Sequence, residues 1–264
     1  AELTRIASHE LWWGAMAMDI GAFTPFFHAF RERETINDIM EKTCGARLTM
    51  NYMVPGGVMQ ELHPDFQKDV KAFIQLFKSK VHEYDEMVTG NIIFQNRMKG
   101  VGFLSKEEAI SFGCTGPTAR GSGVSCDIRK LYPYDVYSKV QFDEVIETAG
   151  DSLARYMVRI KELHQSIRII EQLIDNIPEG DFQAKTKAVL KLPKGEFYTR
   201  VETARGEFGV YIVSEGGTTP YRIKFRSPGF SNLSALDTMA RGEKLGDLVA
   251  MMGTLDLVIP DIDR

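Results

Sequence analysis

The sequence predicts a mainly α-helical protein with one small antiparallel β-sheet. Three observations carry that reading. Long stretches repeat apolar residues every three to four positions, as amphipathic helices do. Short alternating segments bounded by glycine cluster between residues 197 and 226, as strands of a small sheet do. The balance of 44% hydrophobic and 26% charged residues in 264 is that of a globular protein, long enough for one large or two small domains.

The elements follow in order. Residues 2–18 form a helix with apolar residues on most faces (Leu3, Ile6, Leu11, Trp12, Trp13, Met16, Met18), so the helix is expected to be buried. Asp19 stands at its end, before the break Ile20-Gly21-Ala22-Phe23. Such an acid either caps or pairs locally, or serves a site. Thr24-Pro25 supplies an N-cap and a first-turn proline for a helix over 25–42, carrying Phe26, Phe27, Phe30, Ile36, Ile39 and Met40. Its face Arg31-Glu32-Arg33-Glu34 is expected to be solvated or to meet another protein chain. Residues 43–62 are irregular, with a turn at Pro55-Gly56-Gly57. A long helix over 64–89 stops at Gly90, and Ser105 with Glu108 fits a capping box.

Residues 113–126 are glycine-rich but lack the Gly-Lys-Ser/Thr ending of a phosphate loop. Their glycines are expected to serve close backbone approach or positive φ. The clearest long helix covers 147–176, with Leu153, Tyr156, Met157, Ile160, Leu163, Ile167, Ile170 and Ile174 on its apolar face, and Ile177-Pro178 ends it. Strands are expected over 197–203, 208–214 and 220–226, with Gly206 in the first turn and Gly216-Gly217 in the second. Helices over 231–239 and 243–252 lead into the last fourteen residues. The division expected is a helical core over 1–177, a connection over 178–196, and a unit over 197–264 packed on that core.

The terminal stretch Met251–Arg264 is unusual. It mixes Met251, Met252, Leu255, Leu257, Val258 and Ile259 with Asp256, Asp261, Asp263 and Arg264. Chain ends are commonly polar and loosely held. Charges among apolar residues are costly unless paired or used, so a buried plug or the wall of a site is expected. A net charge of −4 without a basic block disfavours nucleic acid as a partner. No run is long and apolar enough for a transmembrane helix. Cys44, Cys114 and Cys126 form no CxxC pair, and five scattered histidines show no metal spacing, so no metal is expected on this chain. The opening Ala1-Glu2-Leu3 falls straight into a helical pattern, and residues upstream of it are expected.

Longer motifs add a resemblance. Asp19-Ile-Gly-Ala-Phe-Thr-Pro-Phe-Phe27, Gly45-Ala-Arg47, Pro55-Gly-Gly57, Arg120-Gly-Ser-Gly123, Tyr134-Asp-Val-Tyr137, Gly206-Glu-Phe-Gly-Val-Tyr211, Gly253-Thr-Leu-Asp256 and Asp263-Arg264 resemble the 49 kDa component of proton-pumping NADH:quinone oxidoreductase, respiratory complex I. The resemblance runs over essentially the whole chain. It implies a mainly helical core like that of the [NiFe]-hydrogenase large subunit. The hydrogenase relative carries a CxxC near this terminus; here Pro260-Asp261-Ile262-Asp263-Arg264 has no thiolate for a soft metal. The quinone-reducing branch is therefore implied.

That resemblance implies roles by residue. Asp19 would support the proton donor to quinone, beside a histidine upstream of this chain. Asp256 and Val258 would border the quinone cavity. Arg264 and Thr49 would lie near a [4Fe–4S] cluster held by a neighbouring subunit, and Thr49 stands where many members have histidine. That difference hints weakly at menaquinone rather than ubiquinone. The tyrosine and histidine that bond the quinone carbonyls belong upstream, so this segment alone is expected to be inactive. No cofactor would be bound by this chain; NADH and FMN would act elsewhere in the complex. Implied partners are the neighbouring iron–sulfur subunit, the 30 kDa-type peripheral subunit and the membrane-arm subunits. The implied location is peripheral, on the cytoplasmic side of a bacterial inner membrane or the matrix side in an organelle. The alternatives are a scaffold that has lost its site and, less favoured, a hydrogenase-related metalloenzyme.

Overall fold

The computed structural model describes residues 1–187 and 189–263. Two long helices open the chain: α1 over Glu2–Asp19 and α2 over Thr24–Cys44. The break between them is where Gly21 takes a φ of 100°, and Pro25 sits in the first turn of α2 as the sequence requires. Gly45 ends α2 in the left-handed region at φ 75°. Strands β1 (Met53–Val54) and β2 (Gly57–Val58) then form a hairpin too short to be visible as an alternating pattern. Its turn is Pro55-Gly56, with Gly56 at φ 96°, the residue order a type II turn favours.

Helix α3 spans Phe66–Tyr84 and runs into a single π-helical turn over Asp85–Thr89, so the predicted 64–89 helix changes its winding in the last turn. The short helices α4 (Ile92–Met98), α5 (Lys106–Ser111), α6 (Gly116–Arg120) and α7 (Ile128–Leu131) follow. The capping box at α5 is formed as the sequence predicts: Ser105 accepts from the Glu108 amide, and Glu108 accepts from the Ser105 amide. Helix α8 covers Ser152–Leu173 and begins later than predicted because Asp151 caps it, accepting from the Ala154 amide.

The sheet is antiparallel, with order β3-β4-β5: β3 Gly195–Thr203, β4 Gly206–Ser214, β5 Arg222–Arg226. Thr203 pairs with Gly206, leaving the two-residue turn Ala204-Arg205. After it come α9 (Pro228–Ser234), α10 (Leu236–Ala240), α11 (Leu245–Leu255) and α12 (Ile259–Ile262). The mainly helical class with a small sheet is what the periodicity predicts.

One core is built from α1, α2, α3, α4 and α8. Trp13 stacks on Tyr84 at 4.1 Å, and Ile6, Phe73, Phe77, Tyr156 and Ile160 fill the space around them. A second cluster joins Leu104, Cys114 and Ala119 to Met239, Met251 and Leu255, which brings α11 against the glycine-rich segment. The glycines there do what was expected of them. A Cβ on Gly116 would lie 2.4 Å from the Gly206 Cα, and one on Gly206 would lie 2.6 Å from the Thr115 hydroxyl. The β3–β4 turn therefore sits directly on the backbone of the α6 segment. Gly206 also has a φ of 136°, which only glycine adopts readily. Gly206→Ala is expected to lower stability by more than about 2 kcal/mol, read as a drop in denaturant midpoint of the purified full-length protein.

Candidate functional site

The interior of the molecule is unusually ionic, and the ions lie on facing helix stripes. On α1, Glu2, Arg5 and His9 recur at three- and four-residue steps; on α8, Arg155, Arg159, Glu162 and Ser166 do the same. Glu162 is the hub, with one oxygen accepting from Arg120 at 2.9 Å and Arg129 at 2.8 Å, and the other facing His9 Nε2 at 2.9 Å. Arg129 also donates to Asp127, at 2.7 Å, and Arg120 to Glu202, at 3.0 Å. Arg5 donates to the Glu202 and Thr203 carbonyls, tying α1 to the end of β3. Glu2 accepts from Tyr137 at 2.5 Å and Ser166 at 2.7 Å.

Charge balance sets the protonation here. Burial works against every one of these carboxylates, but the arginines overcome it at Glu162, held well below its usual range mainly by Arg120, and at Glu2, held at about 2 by Arg5 and Arg129. Glu202 is the excess acid: burial, with Asp127 adding to it, outweighs Arg120 and pushes it up to about 7. His9 is pulled down by burial despite Glu162, so the imidazole is favoured neutral.

Two further arginines stand apart. Arg155 donates to the carbonyls of Gly150 and Gly102 and to the hydroxyls of Ser152 and Thr254. Arg159 stacks over Trp12 at 4.6 Å and donates to the Arg155 carbonyl, while its Nε and Nη2 have no protein partner. Burial pulls both below the usual arginine range, to about 9 and about 10. Asp256, the strongest attraction opposing that shift at Arg159, is itself buried.

Asp256 closes α11 in a left-handed conformation, φ 56°, which Asp tolerates better than most residues. Arg205, in the β3–β4 turn, donates to its carbonyl and to Oδ1, both at 3.2 Å, and to Ser8 on α1 at 3.3 Å. The second oxygen, Oδ2, is buried without a protein partner. Trp12 donates to the Gly253 carbonyl at 2.7 Å. The start of the tail is thus clamped to α1 and to the hairpin. Val258 is half-buried and opens α12.

Asp19 is exposed at the C-terminal end of α1 and makes no hydrogen bond or ion pair among the described residues. It neither caps the helix nor pairs in the core. A negative charge there also opposes the helix dipole. Ser8 and Asp19 are eleven residues apart, about three turns, so they share one side of α1 at roughly 16 Å along its axis. Trp12, seven residues before Asp19, lies on that same side. The structure therefore sets Asp19 and Asp256 along one stripe of α1, without contact between them. Thr49 lies in the exposed loop after α2, at φ 52°, with its hydroxyl on the Leu48 carbonyl. Arg264 lies outside the described residues. The tail differs from a buried plug: Met251, Leu255 and Asp256 are buried, but Met252 and Ile259 are exposed, Ile259 by 65%.

The ionic hub is invisible to a reading that follows apolar spacing alone. Its signal is present as charges on α1 and α8 at helical steps within otherwise apolar helices. Cys114 and Cys126 are far from metal-ligand chemistry: burial pushes their thiols up to about 11 and about 12. No group of three His, Cys, Asp or Glu side chains suited to a metal occurs among the described residues.

Known proteins share this sequence throughout. The family described as "Respiratory-chain NADH dehydrogenase, 49 Kd subunit" matches residues 19–192 and 182–264. The chain is 56% identical over 263 residues to the C/D subunit of the NADH-quinone oxidoreductase of Bacteroides thetaiotaomicron, covering 100% of this chain and 50% of that protein. It is 48% identical to the D 2 subunit of the same enzyme from Solibacter usitatus, covering 100% of this chain and 71% of that protein. It is 46% identical to the D subunit from Geobacillus kaustophilus, covering 99% of this chain and 72% of that protein. The class they define is a component of quinone-linked NADH dehydrogenases. The chain belongs to the respiratory-chain NADH dehydrogenase 49 kDa subunit family, and it spans about half the length of the curated C/D relatives it matches.

A carboxyl held low in the folded state contributes stability above its unfolded value and loses it as pH falls through the folded one. For Glu2 that window runs from 4.5 down to about 2. Glu2→Gln is expected to flatten this part of the acid limb while lowering stability at neutral pH, as followed by circular dichroism melts across acidic pH. Arg129→Leu is expected to cost about 3–5 kcal/mol, because it strands buried carboxylates, and urea titration measures it.

Proposed function

We propose that this chain helps form the quinone-reducing site of a respiratory NADH:quinone oxidoreductase. The observation that carries the proposal is the stripe on α1. At one end Asp19 is an exposed, unpaired acid at a helix C-terminus, where it contributes nothing evident to the fold. At the other end Asp256 is buried with one oxygen free, beside Arg159, which has free donors. Between them lie Trp12 and Met16, apolar surface of the kind that borders small-molecule sites.

Quinone reduction to quinol takes up two electrons and two protons. The electrons come from an iron–sulfur cluster in a neighbouring subunit, and the chain supplies orientation, exclusion of water and charge. Asp19 acts as support for the proton donor: its negative charge favours a protonated neighbour and helps recharge it after transfer. Asp256 and Val258 border the cavity, with Asp256 held in place by Arg205. Thr49 and Arg264 face the side of the cluster-bearing partner, where a cation raises the cluster's potential. The iron–sulfur subunit, the 30 kDa-type peripheral subunit and the membrane-arm subunits are the partners in this reading. The chain would sit peripherally at the cytoplasmic face of a bacterial membrane, consistent with the lack, among the described residues, of any helix long and apolar enough to cross one.

Within the assembled complex, Asp19→Asn is expected to lower quinone reduction at least about tenfold. Asp256→Asn keeps the left-handed helix end and an acceptor for Arg205 but removes the charge, and a several-fold loss is expected. NADH oxidation by a soluble acceptor such as ferricyanide should be unchanged in both. Full quinone reduction in both variants would leave the scaffold reading in place.

A further inference from the structure

A second buried polar cluster lies on the opposite side of α1 from the ionic hub. Glu10 on α1 and Glu32 on α2 are 0% and 1% exposed, and Tyr84 at the end of α3 is fully buried between them and Trp13. Both Glu10 oxygens, Glu32 Oε2, the Tyr84 hydroxyl and Arg33 Nε have no protein partner. Five polar atoms from three helices therefore converge without satisfying one another. Buried groups of this kind are costly unless they bind something. Only Glu32 Oε1 has a strong partner, accepting from the half-exposed Arg31 at 2.5 Å.

We propose that Glu10, Glu32 and Tyr84 form a buried proton-binding site, in which the two carboxyls share one proton and bound water bridges them to the tyrosine and Arg33. The ligand is a proton with one or two waters, for which two to four polar neighbours in a polar pocket are the usual requirement. Two carboxylates this close cannot both stay ionised in a dry interior. The groups facing the pair decide which one holds the proton. From α2, Arg31 pairs with Glu32 and keeps it charged, while Arg33 stands near Glu10 without bonding it. From α3, Tyr84 points in, and Lys80 and Glu83 pair with each other at the rim, where Glu83 also meets His28 of α2 at 3.9 Å. Glu10 has no arginine partner and carries the proton, in agreement with the upward push that burial and Glu32 give it. Arg31, open to solvent, marks the side from which the proton exchanges. This inference is independent of the quinone reading.

The test is Glu10→Gln in the full-length protein, since glutamine copies the neutral acid in size. An acid whose proton is held more tightly in the folded state loses stability as pH rises above its unfolded value. Glu10→Gln should therefore unfold at higher denaturant than wild type near about pH 8, with the gap closing toward about pH 4. Infrared difference spectra at neutral pH should show a protonated carboxyl C=O band, shifted in heavy water, in wild type and not in Glu10→Gln. Glu32→Gln removes the neighbouring charge, so that band should titrate away at lower pH than in wild type. A pH-independent gap, an identical carboxyl band in wild type and Glu10→Gln, or failure of Glu10→Gln to fold would each overturn the site. An unchanged Glu10 titration in Glu32→Gln would overturn the sharing.

Discussion

The fold depends on Glu162. One side chain on α8 meets Arg120, Arg129 and His9, and so connects the glycine-rich segment, α7 and α1. Through Arg120 and Glu202 the connection reaches β3, and through Arg5 it returns to α1. A buried ion pair is weak evidence for stability, because desolvation cancels much of the attraction. A network is better evidence of specificity. Each of these groups is satisfied in one arrangement of five elements, and another arrangement would strand a charge. Short elements such as α6 and α7 have few apolar side chains to hold them; the ions fix them instead.

The same network explains why the β3–β4 hairpin takes part in the site. Its strands are largely solvent-facing, and Phe197, Tyr198, Ile223 and Phe225 all stand partly exposed. Its turn, however, is locked. Gly206 lies against Thr115 and Gly116, Arg226 of β5 donates to the Thr115 hydroxyl, and Asn232 of α9 donates to the Arg205 carbonyl. That leaves the Arg205 guanidinium in one place, between Ser8 and Asp256. The positioning of a tail residue therefore rests on a glycine contact more than forty residues earlier in the chain.

Much of this is legible in the sequence. Apolar spacing locates α1, α2, α3 and α8, alternation locates the three strands, and the glycine-rich stretch is rightly read as a place of close approach. Failures have physical causes. The β1–β2 hairpin has two residues per strand, too few to show alternation. The pattern over 147–151 looks helical, but Asp151 binds the Ala154 amide and so fixes the start of α8 after it. The hub is hidden because a helix scored for apolar residues treats its charged face as solvated. That inference fails when a second helix carries complementary charges at the same spacing. Asp19 and Asp256 are legible as candidates, but their arrangement is not: it depends on how α11 crosses α1, which no local pattern encodes.

The tail shows how far one residue can divide a segment of uniform composition. Its mixture of apolar and charged residues suggests either a plug or a wall, as though the whole stretch shared one environment. Instead Asp256 splits it. Before that residue α11 is helical and Met251 and Leu255 are packed; at Asp256 the backbone turns left-handed and the helix stops. An ordinary β-branched or bulky residue is strained at that φ, whereas Asp accepts it and uses its carboxylate to take Arg205. The apolar side chains beyond, Ile259 above all, then emerge rather than bury. Apolar residues placed outward, just after a clamped polar turn, have no use within this chain. Their composition makes sense if another surface covers them, as the quinone-site reading requires of the segment that borders a neighbouring subunit.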